Sequence, residues 1–142
     1  MNLKRKLIYL LRMRRHRSTV PTGLVPLSDM HTAVMYLDSA DDLQEPQKVS
    51  IRAFFRQYGI TLSFLHAEDD ELRTDSDLFV SLSIEGGLAE RYSAVTSKAR
   101  FKIGRHQLKG DIYDFIVTDT APEPVPAWEA FKVIEHFILN IQ

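Results

Sequence analysis

The chain has 142 residues, of which 44% are hydrophobic and 26% charged, with a formal net charge of −1 and no cysteine. That composition predicts one ordinary globular core, and it excludes disulfides, thiolate nucleophiles, zinc ribbons and iron–sulfur ligation. The charge is segregated: Lys4, Arg5, Lys6, Arg12, Arg14, Arg15 and Arg17 precede position 18 with no acidic residue among them, which leaves 11 basic residues against 19 acidic ones in the remainder.

Residues 2–16 place Leu3, Leu7, Leu10 and Leu11 at helical spacing, with Lys4, Arg5, Arg12 and Arg15 spread over the opposite side, which predicts a basic amphipathic helix. The apolar run at 7–11 is five residues long, far short of the roughly 20 a membrane span needs. Arg12 interrupts it and no small-residue cleavage site follows, so export by a signal peptide is not expected. Cytoplasmic localisation is, with the helix able to sit at the inner face of the membrane. Pro21, Gly23 and Pro26 make residues 18–29 a linker. The predicted organisation is therefore a basic helix at 1–17, the linker, and an α/β domain at 30–142.

Residues 32–37 (TAVMYL) read as a strand buried on both faces of a parallel sheet. Residues 39–58 read as a helix with Asp41 or Asp42 near its cap, Val49, Ala53 and Phe54 turned inward and Gly59 stopping it. A second strand is expected at 60–65 and a solvated acidic loop at 68–75. A third strand at 77–83 precedes Glu85-Gly86-Gly87 and a helix to about position 97. Further short strands are expected at 101–104 and 112–118, then a stiff connector through Pro122, Pro124 and Pro126. The closing helix at 128–141 places Phe131, Ile134, Ile138 and Ile141 on one stripe. Strands alternating with helices predict a three-layer, Rossmann-like α/β domain with a mainly parallel sheet of about five strands.

In such a sheet ligands bind beyond the carboxyl ends of the strands. The loops after the first and third strands share that edge, and they bring Asp38, Ser39, Glu85, Gly86 and Gly87 forward as ligand-binding candidates, with Arg105 after the fourth strand as a possible phosphate or carboxylate clamp. Tight-turn and capping roles compete with this reading. Neither GxGxxG nor GxxxxGK[ST] occurs, so no nucleotide cofactor is expected. Asp38 and Glu85 would supply a carboxylate pair for acid–base work or magnesium. The histidines show no HxH or HExxH spacing, so no metal centre is expected, and no GxSxG elbow supports a hydrolase. The basic residues from Lys4 to Arg17 would contact an anionic membrane surface, nucleic acid or a protein partner; the competing reading packs this helix on the acidic body.

Residues 77–105 (DLFVSLSIEGGLAERYSAVTSKARFKIGR), with the basic leucine-containing start, the strand near position 35, YDFIV at 113–117 and the closing helix, resemble a family of short uncharacterised bacterial proteins, a domain of unknown function. That resemblance implies no activity. More distantly, the same stretch resembles part of the N-terminal Rossmann-like half of heptosyltransferase-type glycosyltransferases, through Ala99, Arg100, Ile103 and Gly104 as A-R-x-x-I-G. This implies a strand–helix–strand unit. Those enzymes hold the sugar nucleotide chiefly in a second domain, for which 142 residues leave no room. A reduced single-domain relative that binds a small phosphate or nucleotide ligand is the alternative to a non-enzymatic interaction module.

Overall fold

A computed structural model describes residues 2–117 and 123–141. Five parallel strands, β1 (Thr32–Leu37), β2 (Thr61–His66), β3 (Leu78–Ser81), β4 (Phe101–Gly104) and β5 (Phe115–Ile116), form one sheet in the order β2-β1-β3-β4-β5. Thr32 stands opposite Thr61, Ala33 opposite Leu78, Leu78 opposite Phe101 and Ile103 opposite Phe115. Central β1 and β3 are buried almost throughout, because helices cover both faces, as an all-parallel sheet requires.

Alternation sorts the strand residues between two cores. Ala33, Met35, Leu37, Val80 and Ile103 point towards α2 (Glu45–Arg56) and α4 (Ala127–Leu139), where Ile51, Phe55, Phe131 and Ile134 close the layer. Val34, Tyr36 and Phe79 point towards α3 (Leu88–Thr96) and α1 (Leu3–His16), with Tyr9, Met13 and Tyr92. The connection from β2 to β3 crosses back over β1 as an extended segment at 67–77 that carries no helix. Helix α1, from the other end of the chain, stands on that face instead. It is fixed there by Tyr9, stacked on Tyr92 with ring centroids 4.7 Å apart, and by the Arg5 guanidinium, which donates to the Asp69 carbonyl at 3.0 Å.

Several sequence expectations change. The buried face of α1 is Tyr9 and Met13, whereas Leu3, Leu7, Leu10 and Leu11 face solvent. The predicted helix at 39–58 divides into a 3-10 turn at Ala40–Asp42 and α2, so Ile51 and Phe55 turn inward while Val49 and Ala53 are exposed and Phe54 is half-buried. Ser39 caps the turn: its hydroxyl accepts from the Asp41 N–H, and Asp42 Oδ2 accepts from the Ser39 N–H at 3.0 Å. The last strand is only Phe115–Ile116, at the sheet edge; position 118 of its predicted span, and Pro122 of the connector, lie outside the described residues. The 18–29 segment lies along the body, with the Ser18 N–H donating to the Val95 carbonyl and the Gly23 N–H to the Arg100 carbonyl.

Candidate functional site

The strand order reverses between β1 and β3, which is where a doubly wound sheet opens a crevice at its carboxyl edge. Asp38 follows β1 at that point. Its Oδ1 accepts from Ser83 Oγ at 2.5 Å, and its Oδ2 accepts from the N–H groups of Ile84 at 2.9 Å and Glu85 at 3.4 Å. A bound anion would seek these backbone donors at the switch point, and an internal carboxylate already occupies them. Asp38, Ser39, Glu85 and Arg105 line one cavity of about 360 Å³. Asp38, Glu85 and Gly87 line a second, of about 750 Å³, which Arg5 and Lys6 reach from α1. Arg105 is buried and donates to the Val125 carbonyl at 2.8 Å and the Leu82 carbonyl at 3.5 Å, tying the β3 end to the strap before α4.

Behind this edge lies a group of residues that sequence reading missed. Glu90, on α3, is 0% exposed. Its Oε2 accepts from Ser81 Oγ at 2.8 Å and from the Tyr113 hydroxyl at 2.5 Å, and its Oε1 lies 3.0 Å from His106 Nε2. A buried carboxylate is tolerable only when its oxygens are so occupied. Burial first, then the Glu90 charge, pushes the Tyr113 phenol well above its usual pKa. Two glycines allow the group to close. A Cβ on Gly104 would come within 2.4 Å of the Tyr113 ring, and one on Gly86, at φ 67°, would lie 3.1 Å from His106 Nε2. The readable signal was a lone acid at position 90 on a helix whose neighbours Ala89, Tyr92, Ser93 and Ala94 are all buried.

On the same layer Lys102 is 5% exposed and donates from Nζ to the Ala94 carbonyl at 2.8 Å. Desolvation lowers its pKa, with the Asp114 carboxylate acting in the opposite direction.

The basic residues of the N-terminal segment fall into three overlapping sets, with Arg15 in two of them. Arg5 and Lys6 face the sheet edge. Lys4, Arg14 and Arg15 are exposed on the solvent side, interleaved with Leu3, Leu7 and Leu11, which are 73%, 52% and 69% exposed. Arg12 and Arg15, with His16, line a cavity of about 500 Å³ whose other wall is Arg73, with Tyr92 among its lining residues; Arg17 borders an adjoining one of about 230 Å³ with Lys98. Arg73, His16 and Lys98 carried no motif and were not singled out from sequence.

Among the described residues no group of three or more histidine, aspartate or glutamate side chains is placed to hold a metal, and no helix is long and apolar enough to cross a membrane. Fold and edge define a doubly wound α/β protein whose switch point is bridged from within. Comparison with family models, curated proteins and solved structures finds no match to the chain.

Proposed function

We propose that the protein is a non-enzymatic, cytoplasmic interaction module that docks on an anionic membrane surface through α1. The observation that carries this reading is the outward ridge of Leu3, Leu7 and Leu11 beside Lys4, Arg14 and Arg15, on a helix whose other face is anchored by Tyr9 and Met13. Residues four apart share one helix face, so the three leucines enter an interface together while the flanking cations reach lipid headgroups by snorkelling. Each basic residue near an anionic surface contributes about 1 kcal/mol, and each leucine about 1.5–3 kcal/mol if fully buried. Nucleic acid would engage the cations by counterion release but gain little from the leucines, so the ridge favours a bilayer. The small-phosphate alternative, and with it the resemblance to a glycosyltransferase half-domain, has the two cavities at the switch point in its favour. Against it, Asp38 already takes the donors of Ile84 and Glu85.

The test is sedimentation of the full chain with vesicles of phosphatidylcholine and phosphatidylserine over a salt series, beside Leu7→Ser/Leu11→Ser. Point variants are preferable to removing α1, which would uncover Tyr92. Binding that weakens with salt and is lost in the double variant, with an unchanged circular dichroism spectrum, is expected. Undiminished binding by the variant overturns the reading, as does a chain that binds RNA and ignores vesicles.

A further inference from the structure

We infer that the groove between the C-terminal half of α1 and the β2–β3 crossing segment is a binding site for a multiply charged phosphate group, a phosphomonoester or polyphosphate, held by Arg12, Arg15, His16 and Arg73. It rests on the membrane reading only if that phosphate is a lipid headgroup.

Four cationic or protonatable side chains converge here on about 500 Å³ of open cavity, with Glu71 the one carboxylate in its lining. Glu71 is partly engaged locally, its Oε1 accepting from the Arg73 N–H at 2.8 Å. The carboxylate contacts to lysine or histidine nitrogens among the described residues lie elsewhere, at His66–Asp69, Glu90–His106 and Lys132–Glu135. Arg12 is three residues from Arg15, a spacing at which like charges on a helix repel. Attraction to the negative C-terminal end of α1 accounts for Arg15 and His16 individually, but not for Arg73 on the crossing segment, nor for Lys98 beyond α3 beside the adjoining cavity. The cost of that repulsion falls on the folded state unless an anion relieves it.

The neighbouring charges act on His16 as well. Desolvation first, then the charges of Arg73, Arg15 and Arg12, hold its imidazole below the usual pKa. The walls are also set in place before any ligand arrives: the Tyr9–Tyr92 stack fixes α1 against α3, and the Arg5 contact to Asp69 fixes it against the crossing segment. Arginines suit the ligand better than lysines would, because each guanidinium presents a planar fork to two phosphate oxygens. The volume falls within the range of small-ligand sites, and a dianion or polyanion is the ligand that several unpaired cations match.

The experiment titrates the full chain with sodium tripolyphosphate by calorimetry at low salt. In parallel it measures binding to vesicles containing phosphatidate, a phosphomonoester, or phosphatidylserine at equal surface charge. Arg73→Ala and Arg15→Ala are the test variants and Lys132→Ala, on α4, the control. Loss of one charge-assisted contact should weaken binding about tenfold or more in either test variant, with the control unchanged. Tripolyphosphate binding with no preference between vesicles assigns a free phosphate. A phosphatidate preference that Arg73→Ala and Arg15→Ala each abolish assigns a headgroup. Absence of both overturns the inference, as does binding that neither variant alters. Vesicle binding with no phosphatidate preference, and no tripolyphosphate binding, removes this site while leaving the membrane reading intact; tripolyphosphate binding without any vesicle binding does the reverse.

Discussion

Two polar regions flank α3 and are built on opposite terms. At the carboxyl edge, acids dominate and they are satisfied from within: Asp38 takes a hydroxyl and two backbone N–H groups, and Glu90 takes two hydroxyls and an imidazole nitrogen. Along α1, cations dominate, and among the described residues Arg12, Arg15 and Arg73 enter no ion pair. Position in the fold therefore misleads when taken alone. The switch point is where a ligand is expected by topology, yet the N–H groups of Ile84 and Glu85 there are taken by Asp38. The groove beside α1 has no topological claim on a ligand but carries the uncompensated charge. Where polar groups complete one another they hold elements together; where they remain unmatched they mark a surface that something outside the chain completes.

The largest expected effect breaks the first half of that contrast. Glu90→Ala removes the acceptor shared by Ser81, Tyr113 and His106 and leaves a void at a 0%-exposed position. Removing one member of a buried charged network costs about 3–5 kcal/mol, to be read as a fall in the urea midpoint. A variant of near-native stability would mean that the cluster is not structural, and Glu90 with His106 would then become the place to look for chemistry.

A smaller effect, with a pH signature, is expected at Asp77. Its Oδ2 accepts from the N–H groups of His31 at 2.7 Å and Thr32 at 3.2 Å, at the entrance to β1. The bond from His31, opposed by some desolvation and helped by the bond from Thr32, holds its carboxyl below the usual value of 3.8. A carboxyl depressed in the folded state stabilises above its unfolded pKa, and that contribution fades as pH falls through the folded value. Asp77→Asn should cost about 1 kcal/mol near neutrality and narrow the gap to the unmodified chain below pH 3.8. A gap that stays constant down to pH 2 would assign the effect to packing instead.

The legible parts of the fold were those governed by local pattern. The apolar run at 32–37 and the short strand at 101–104 coincide with β1 and β4, since burial on both faces writes itself into consecutive residues. The stripe of Phe131, Ile134 and Ile138 is buried as read. What escaped depends on partners distant in sequence. The leucines of α1 carry the stronger apolar pattern, but the docking face is decided by Tyr9 meeting Tyr92, 83 positions later. On α2 the phase was misread because Ile51 and Phe55, one turn apart, outweigh Val49 and Ala53 in contact with the α4 layer. Of the site candidates, Asp38 and Glu85 line the same two cavities, while the groove beside α1 was invisible because Arg73 arrives from an acidic segment in which a single arginine draws no notice.

The smallest expected effect tests the second half of the contrast through stability rather than binding. If Arg73 stands in a field of like charge, Arg73→Ala should raise stability by a few tenths of a kcal/mol at low ionic strength, within the ±0.5 kcal/mol typical of surface changes. Screening should then erase the difference, because at 0.1 M salt the Debye length is about 10 Å. The unmodified chain should gain more from added salt than the variant does, seen as a larger shift of its urea midpoint between 10 mM and 300 mM sodium chloride. The opposite sign, a variant less stable at low salt, would mean that Arg73 is paired with a carboxylate in solution, Glu71 being the one carboxylate in the same lining. That outcome would remove the charge imbalance on which the groove depends, and it would do so without a ligand having been chosen.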